Sequence, residues 1–365
     1  MLVLPDLLAT AQHAMHTYMT TAPSPTATII GSAEWLAHRY DPQFDAFHFV
    51  AASRDAHDKA MFLTDDYLPG TGNPLIIDRA QAVAAAPPSA PVHFIFHSAY
   101  CCSTLLTRAF DIPGISMGLK EPVLLNDIVG WRHRGGSTIE GRRVAMILDQ
   151  SLHMLGRPFK AGEAVVIKPS NLINPLAPAI LGMRQNAQAL LLHAPLETYL
   201  GSIARKGLWG RHWVRDLLVK LLIEGQIDLG FEQEDYLKLT DIQVAAVGWL
   251  AQHALFERIL AQFGPERVKT LSSETLMADP ATSLRALARH FRQPMNADAI
   301  KAIASGPVFT RHSKFGTNFD AEQRNSDRAT AMTLYAEEIE KVMIWAGVIA
   351  KNAGISFTLQ SPLID

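Results

Sequence analysis

Four short apolar runs punctuate the chain from its first third onward. They are Val92 with Phe94, Ile95 and Phe96, then residues 164–167, 189–192 and 268–271. The first three, short, without polar alternation and bounded by turn formers or charge, predict strands buried on both faces, and residues 268–271, which Lys269 and Thr270 interrupt, read as a last parallel strand. Between them the apolar positions fall at helical spacing. Leu105, Leu106, Ala109 and Phe110 form one stripe, and residues 144–155 another. A helix is expected from about Leu196, and residues 213–263 read as helical throughout, with Leu217, Leu218, Leu221 and Leu222, then Val244, Val247, Trp249 and Leu250. A last helix is expected over residues 321–346. Strand and helix in alternation predict an α/β fold with a parallel sheet flanked by helices.

The pattern changes before residue 91. Residues 7–18 read as an amphipathic helix, TAPSPTAT as a Pro-rich joint, and residues 33–39 as a second short helix. Short strands are expected at 47–51, 60–63 and 75–77, and a short helix with the linker PPSAP leads into the first apolar run. The expected division is therefore a small N-terminal α+β annex over 1–90 and a main α/β domain over 91–365. No fixed period recurs, which excludes a solenoid.

Composition narrows the partners. The 365 residues carry 33 basic and 35 acidic side chains, a balance that argues against broad nucleic-acid or membrane-surface binding. No apolar run approaches the ~20 residues of a membrane span, and the first residues lack a basic leader before a long apolar core. A soluble, cytoplasmic protein is expected. The two cysteines, Cys101 and Cys102, are adjacent, so neither a disulfide framework nor a cysteine metal cluster is expected. Asp45, His48 and His57 lie close in sequence, but His48 between Phe47 and Phe49 reads as a solvated strand position, and no metal is expected.

The chemistry concentrates in PVHFIFHSAYCCSTLLTRAF, residues 91–110. An apolar strand, a loop of small residues and a helix opening at Ser103-Thr104 make a ready anion site, because the first N–H groups of a helix have no partner inside it. This stretch resembles the phosphosulfate-binding loop of the sulfotransferase family, PRSGTT-L-L or PKSGTT-W-L. Ala99 stands at its proline, Tyr100 at its basic residue, Cys101 at its serine, Cys102 at its glycine, and Ser103 and Thr104 at its paired hydroxyls. Tyrosine brings only a hydroxyl and an aromatic face where the family carries a cation.

Further segments carry the same resemblance in the same order. Lys120-Glu121-Pro122 is similar to a Glu-Pro after the second strand, which implies Glu121 as the base for the acceptor's proton; a surface Lys-Glu pair is the alternative. Lys168, ending the run at 164–167, resembles the lysine that holds the bridging or sulfonate oxygens. Ser170 stands where one branch carries a histidine base. In HAPLETYLGSIARKG the family's grip on a 3′-phosphate implies roles for His193, which replaces an arginine, and for Ser202 and Arg205. Trp209 and Trp213, interleaved with Arg211 and His212, read as a ligand-facing loop, and WRHRGGSTIEGRR as a basic loop. Residues 273–294 resemble Y-E-D-L-x-x-D-P-x-x-x-L-x-x-L-x-x-F, in register at Glu274, Leu276, Asp279, Pro280, Leu284 and Leu287, with Phe291 one residue beyond the pattern's phenylalanine. Arg311 and Lys314 resemble a late basic loop closing over the 3′-phosphate.

The resemblance implies a P-loop-type fold and transfer of a sulfuryl group from 3′-phosphoadenosine 5′-phosphosulfate to a hydroxyl or amine of a small-molecule acceptor. Two alternatives stay open. One is a non-catalytic nucleotide or anion binder on the same fold. The other is a phosphoryl-transfer P-loop enzyme, disfavoured because no G-x-x-x-x-G-K-[ST] is present. A thiol function at Cys101-Cys102 would need the helix N-terminus to lower a thiol pKa.

Overall fold

The computed structural model describes residues 25–135, 140–310 and 321–364. The annex is a three-stranded antiparallel sheet, β1 (Trp35–Asp41), β2 (Ala46–Ala51) and β3 (Leu75–Asp78), in the order β1-β2-β3. The main sheet has five parallel strands, β4 (Val92–His97), β5 (Ser116–Lys120), β6 (Ala164–Lys168), β7 (Ala189–His193) and β8 (Val268–Ser272), in the order β5-β6-β4-β7-β8. The four apolar runs are thus β4, β6, β7 and β8. From the central β4 the chain crosses to the edge strand β5, returns to β6 between them, and then passes to β7 and β8 on the other side of β4; in open α/β sheets such a reversal leaves a crevice at the carboxyl edge.

Strand periodicity divides the interior into two cores. Phe94, Phe96, Val165, Ile167 and Leu191 point to one face. There they meet the helices Val123–Gly135, Gly141–Leu155 and Ala177–Met183, together with Phe47 and Phe49 of the annex. Ile95, Val166, Leu190 and Leu192 point to the other, against the helices Ser103–Ala109, Leu196–Arg205 and Asp241–Phe263. Both faces of β4, β6 and β7 are covered, which is why those runs lack polar alternation, whereas the edge strand β8 leaves Lys269 half-buried. Gly118 of β5 has to be glycine: a Cβ there would stand 2.7 Å from the Thr107 carbonyl of the covering helix. The annex has its own sheet but shares the first core with the main domain.

Several expectations are corrected. Residues 33–39 contribute to a strand, not a helix. The pairing of β1 with β2 slips between Ala37 and Arg39, a bulge at His38, and Leu36, Ala37 and His38 are buried in succession instead of alternating as on a regular strand. A helix, Pro25–Gly31, forms inside the expected Pro-rich joint, with proline at its first position. Residues 60–63 form no strand; Leu63 is tied to β5, its N–H donating to the Lys120 carbonyl at 2.7 Å. The expected basic loop is helical through Gly135, and Arg132 and His133 clamp the buried carboxylate of Glu224. His48, read as solvated, is half-buried on β2, and His57 is buried edge-on to Phe159. Residues 7–18 lie outside the described residues.

The stretch 273–294 folds as its pattern implies. Asp279 accepts from the Thr282 N–H at 3.0 Å and caps the helix Pro280–His290, which opens on Pro280, while Leu284, Leu287 and Phe291 are fully buried. No helix among the described residues is long and apolar enough to cross a membrane.

Candidate anion-binding site

Strand β4 ends at His97, and the chain turns through residues 98–102 into the Ser103–Ala109 helix. Three residues of this turn are left-handed without being glycine: Ala99 at φ 69°, Tyr100 at φ 52° and Cys102 at φ 65°. Each such residue costs about 1–2 kcal/mol, so the surroundings must hold the turn in place. The His97 ring accepts the Ala99 N–H at Nδ1 (3.1 Å) and, through Nε2–H, donates to the Pro169 carbonyl (3.1 Å). The Ser98 N–H and the Cys101 thiol both donate to the Leu192 carbonyl, at 3.1 and 3.4 Å. The loop is therefore bolted to β6 and β7 from both sides. Cys102, at the position where the family carries glycine, adopts the backbone that favours glycine, and its side chain makes no capping bond.

Three strand ends bring their charges to this turn. Lys168 closes β6 with its side chain almost wholly buried, and its ammonium pairs with the Glu121 carboxylate. Its Nζ also stands 3.5 Å from the Thr104 hydroxyl and 4.9 Å from the ring centre of Phe62. Glu121 follows β5 at φ 51° and extends the ladder, its N–H donating to the Lys168 carbonyl at 2.7 Å. Its Oε1 lies 3.9 Å from His97 Nε2. Glu121 and Lys168, singled out separately in the sequence, stand in direct contact, and Thr104 joins them.

A cavity of about 310 Å³ opens over this group. Its floor is the loop with Ser103, Thr104, Glu121 and Lys168, and its walls include Phe62, Leu172, Trp209 and Trp213. The two tryptophans do face a ligand space, yet from a helix, Gly207–Ile223, not a loop. Positions 209, 213, 216, 217 and 220 share one helical stripe, which brings Asp216 and Lys220 to the same wall. The helix restarts at Gly207, where φ is +58°, so it follows the Leu196–Arg205 helix with a sharp bend.

Not every expected residue joins the cavity. Tyr100 lines it, but its ring packs edge-on to Tyr199 and Trp213 (5.9 and 5.4 Å), and burial raises its phenol pKa. Cys101 is fully buried, and desolvation pushes its thiol up to about 12, the opposite of what a reactive thiol needs. His193 ends β7 with its ring edge-on to His253 at 5.2 Å, and burial lowers its pKa to about 4. It does not line the cavity. Ser202 donates its hydroxyl back to the Thr198 carbonyl at 2.9 Å, and Arg205 is exposed one turn on. Arg311 and Lys314 lie outside the described residues.

Three participants were missed from the sequence. His97 read only as the end of a strand, Phe62 belongs to the annex, and Asn171 holds the wall through a bond to Gln252 (3.4 Å). Lysine and tryptophan at helical spacing could have found Lys220; nothing local to Phe62 signals its position. Among the described residues no cluster of three or more histidine, cysteine or acidic side chains is arranged to hold a metal ion.

No protein-family model matches the chain, and no curated protein matches it. Among solved structures it is similar to the sulfotransferase STF9 from Mycobacterium avium, at 12% identity and a TM-score of 0.40 over 71% of this chain and 78% of that one. It is also similar to a sulfotransferase domain from the curacin biosynthetic pathway, at 15% identity and 0.40 over 74% and 99%. A third is the sulfotransferase STF1 from Mycobacterium tuberculosis H37Rv, at 12% identity and 0.38 over 68% and 78%.

Proposed function

We propose that the cavity binds the phosphosulfate of 3′-phosphoadenosine 5′-phosphosulfate and transfers its sulfuryl group to the hydroxyl or amine of a small-molecule acceptor. The observation that carries this reading is the meeting of Lys168, Thr104 and Glu121 beneath an anion loop, on three different strand connections. A buried ammonium, a hydroxyl and a carboxylate at one point supply a cation for a sulfonate, a donor for its oxygens and a base for the incoming nucleophile. In the reaction the acceptor oxygen or nitrogen bonds to sulfur, and the bond from sulfur to the bridging oxygen breaks with its electron pair passing to the phosphate. Lys168 would donate to that bridging oxygen as its charge grows, and Glu121 would take the acceptor's proton. The resting ion pair fits this division: an arriving sulfonate takes over Lys168 and frees Glu121. No step calls on a metal.

A second reading, an adenosine bisphosphate binder without turnover, is favoured by one observation. Tyr100, standing at the family's cationic position, is packed between Tyr199 and Trp213 instead of offering charge to a ligand. Calorimetric titration with adenosine 3′,5′-bisphosphate tests both readings, and sulfated donor with an acceptor panel separates them. Turnover lost in Glu121→Gln while binding persists supports transfer. Binding by the unaltered protein with no turnover of any acceptor supports the second reading.

A further inference from the structure

The annex reaches into the cavity at one residue. The short helix Arg54–Lys59 presents the Asp58 carbonyl at its end, and two cations of the main domain donate to it: Lys120 Nζ at 2.9 Å, from the end of β5, and Arg108 at 3.2 Å, from the anion-loop helix. Leu63 is then fixed from both sides, its N–H donating to the Lys120 carbonyl (2.7 Å) and its carbonyl accepting from Val123 (3.1 Å). Phe62 lies between these two anchors. Its ring covers Lys168 Nζ at 4.9 Å, rests edge-on against Tyr67 at 5.8 Å and forms part of the cavity wall.

An aromatic face attracts an ammonium, the more so where water is excluded. Carboxylate, hydroxyl and ring therefore surround the Lys168 ammonium on three sides. We propose that Phe62 is a positioning residue of this site: the annex supplies the aromatic cover that holds the Lys168 ammonium against Thr104 and Glu121 and keeps water from it. The placement of Lys168 does not depend on the ligand; that the ligand is a phosphosulfate nucleotide rests on the function proposed above.

The test compares Phe62→Leu, Phe62→Met and Phe62→Tyr in the full chain, with two readouts. Reductive methylation with ¹³C-formaldehyde, with the Lys168 signal assigned by its loss in Lys168→Met, reports how open Lys168 is, and Lys120 serves as the internal reference. We expect Lys168 to react about tenfold faster in the leucine and methionine variants, the factor that the loss of one desolvated cation–π contact implies. The tyrosine variant should react as the unaltered protein does, and Lys120 should be unchanged throughout. The second readout, affinity for adenosine 3′,5′-bisphosphate, should fall about tenfold in the leucine and methionine variants and be kept in the tyrosine variant. Lys168 reacting at the unaltered rate in Phe62→Leu, or Lys120 accelerating in parallel, overturns the proposal. If no form binds the nucleotide while Lys168 still accelerates selectively, the positioning role stands and the functional reading falls.

Discussion

Two neighbouring strands of the main sheet both end in histidine, and the two ends do opposite things. At the end of β4, His97 ties one ring nitrogen to the turn that follows and the other to the Pro169 carbonyl after β6, and three strand connections converge on a cavity. At the end of β7, His193 turns to His253, Trp249 donates to the Ala194 carbonyl at 2.9 Å, and Ser202 bonds its own helix. The first end keeps strained backbone and concentrated charge; the second is packed shut by the helix Asp241–Phe263. Position at the carboxyl edge is thus not sufficient for a site. What distinguishes the two is whether the crossing helix leaves room, and whether polar groups are satisfied by one another or held toward space.

The contrast can be broken by substitution. The largest effect belongs to Lys168→Met, which removes the buried cation at the point where Glu121 and Thr104 meet. It should lower turnover by about 100-fold or more, the scale of losing one preorganised charge donor, measured as kcat/KM with the sulfated donor. At the β7 end His193→Phe should leave nucleotide affinity unchanged and alter acid stability instead. With a native pKa of about 4 against an ordinary 6.5, the unfolded chain binds a proton in that interval that the native state does not. The histidine's stabilising contribution is therefore complete above about pH 6.5 and is lost as pH falls to about 4. Removing it should flatten that limb by about 2–3 kcal/mol, read by denaturant titration at pH 7 and pH 4.5.

Smaller effects sharpen the comparison. Cys102→Gly relieves a left-handed residue in the loop and should raise stability by about 1 kcal/mol while leaving the nucleotide affinity intact. Arg205→Ala, exposed beyond the closed end, should change that affinity by less than about twofold, as exposed single charges do.

The sheet was legible because its strands are covered on both faces, and runs such as 189–192 therefore stay apolar without interruption. The cap at Asp279 was equally legible, since its interactions are local in sequence. Glu121, Lys168 and Thr104 could be singled out because each follows directly from a strand end or helix start. The helix expected at 33–39 was misplaced because the bulge at His38 breaks the alternation that would have marked β1 as a strand. Trp209 and Trp213 were read as ligand-facing, but the Arg211 and His212 interleaved with them suggested a loop where Gly207 only bends one helix into the next. Phe62 was beyond sequence reasoning, because its place is fixed by hydrogen bonds to β5 and by Lys168, a hundred residues away in the chain.

The central claim is that the β4, β5 and β6 ends form a nucleotide-anion site built on Lys168. Calorimetric titration of adenosine 3′,5′-bisphosphate into the unaltered protein and Lys168→Met, with AMP as the control, tests it most directly. The account predicts binding stronger than AMP that falls sharply in Lys168→Met, with unchanged affinity in His193→Phe. Binding that survives loss of Lys168 but fails in His193→Phe would place the site at the β7 end and contradict it.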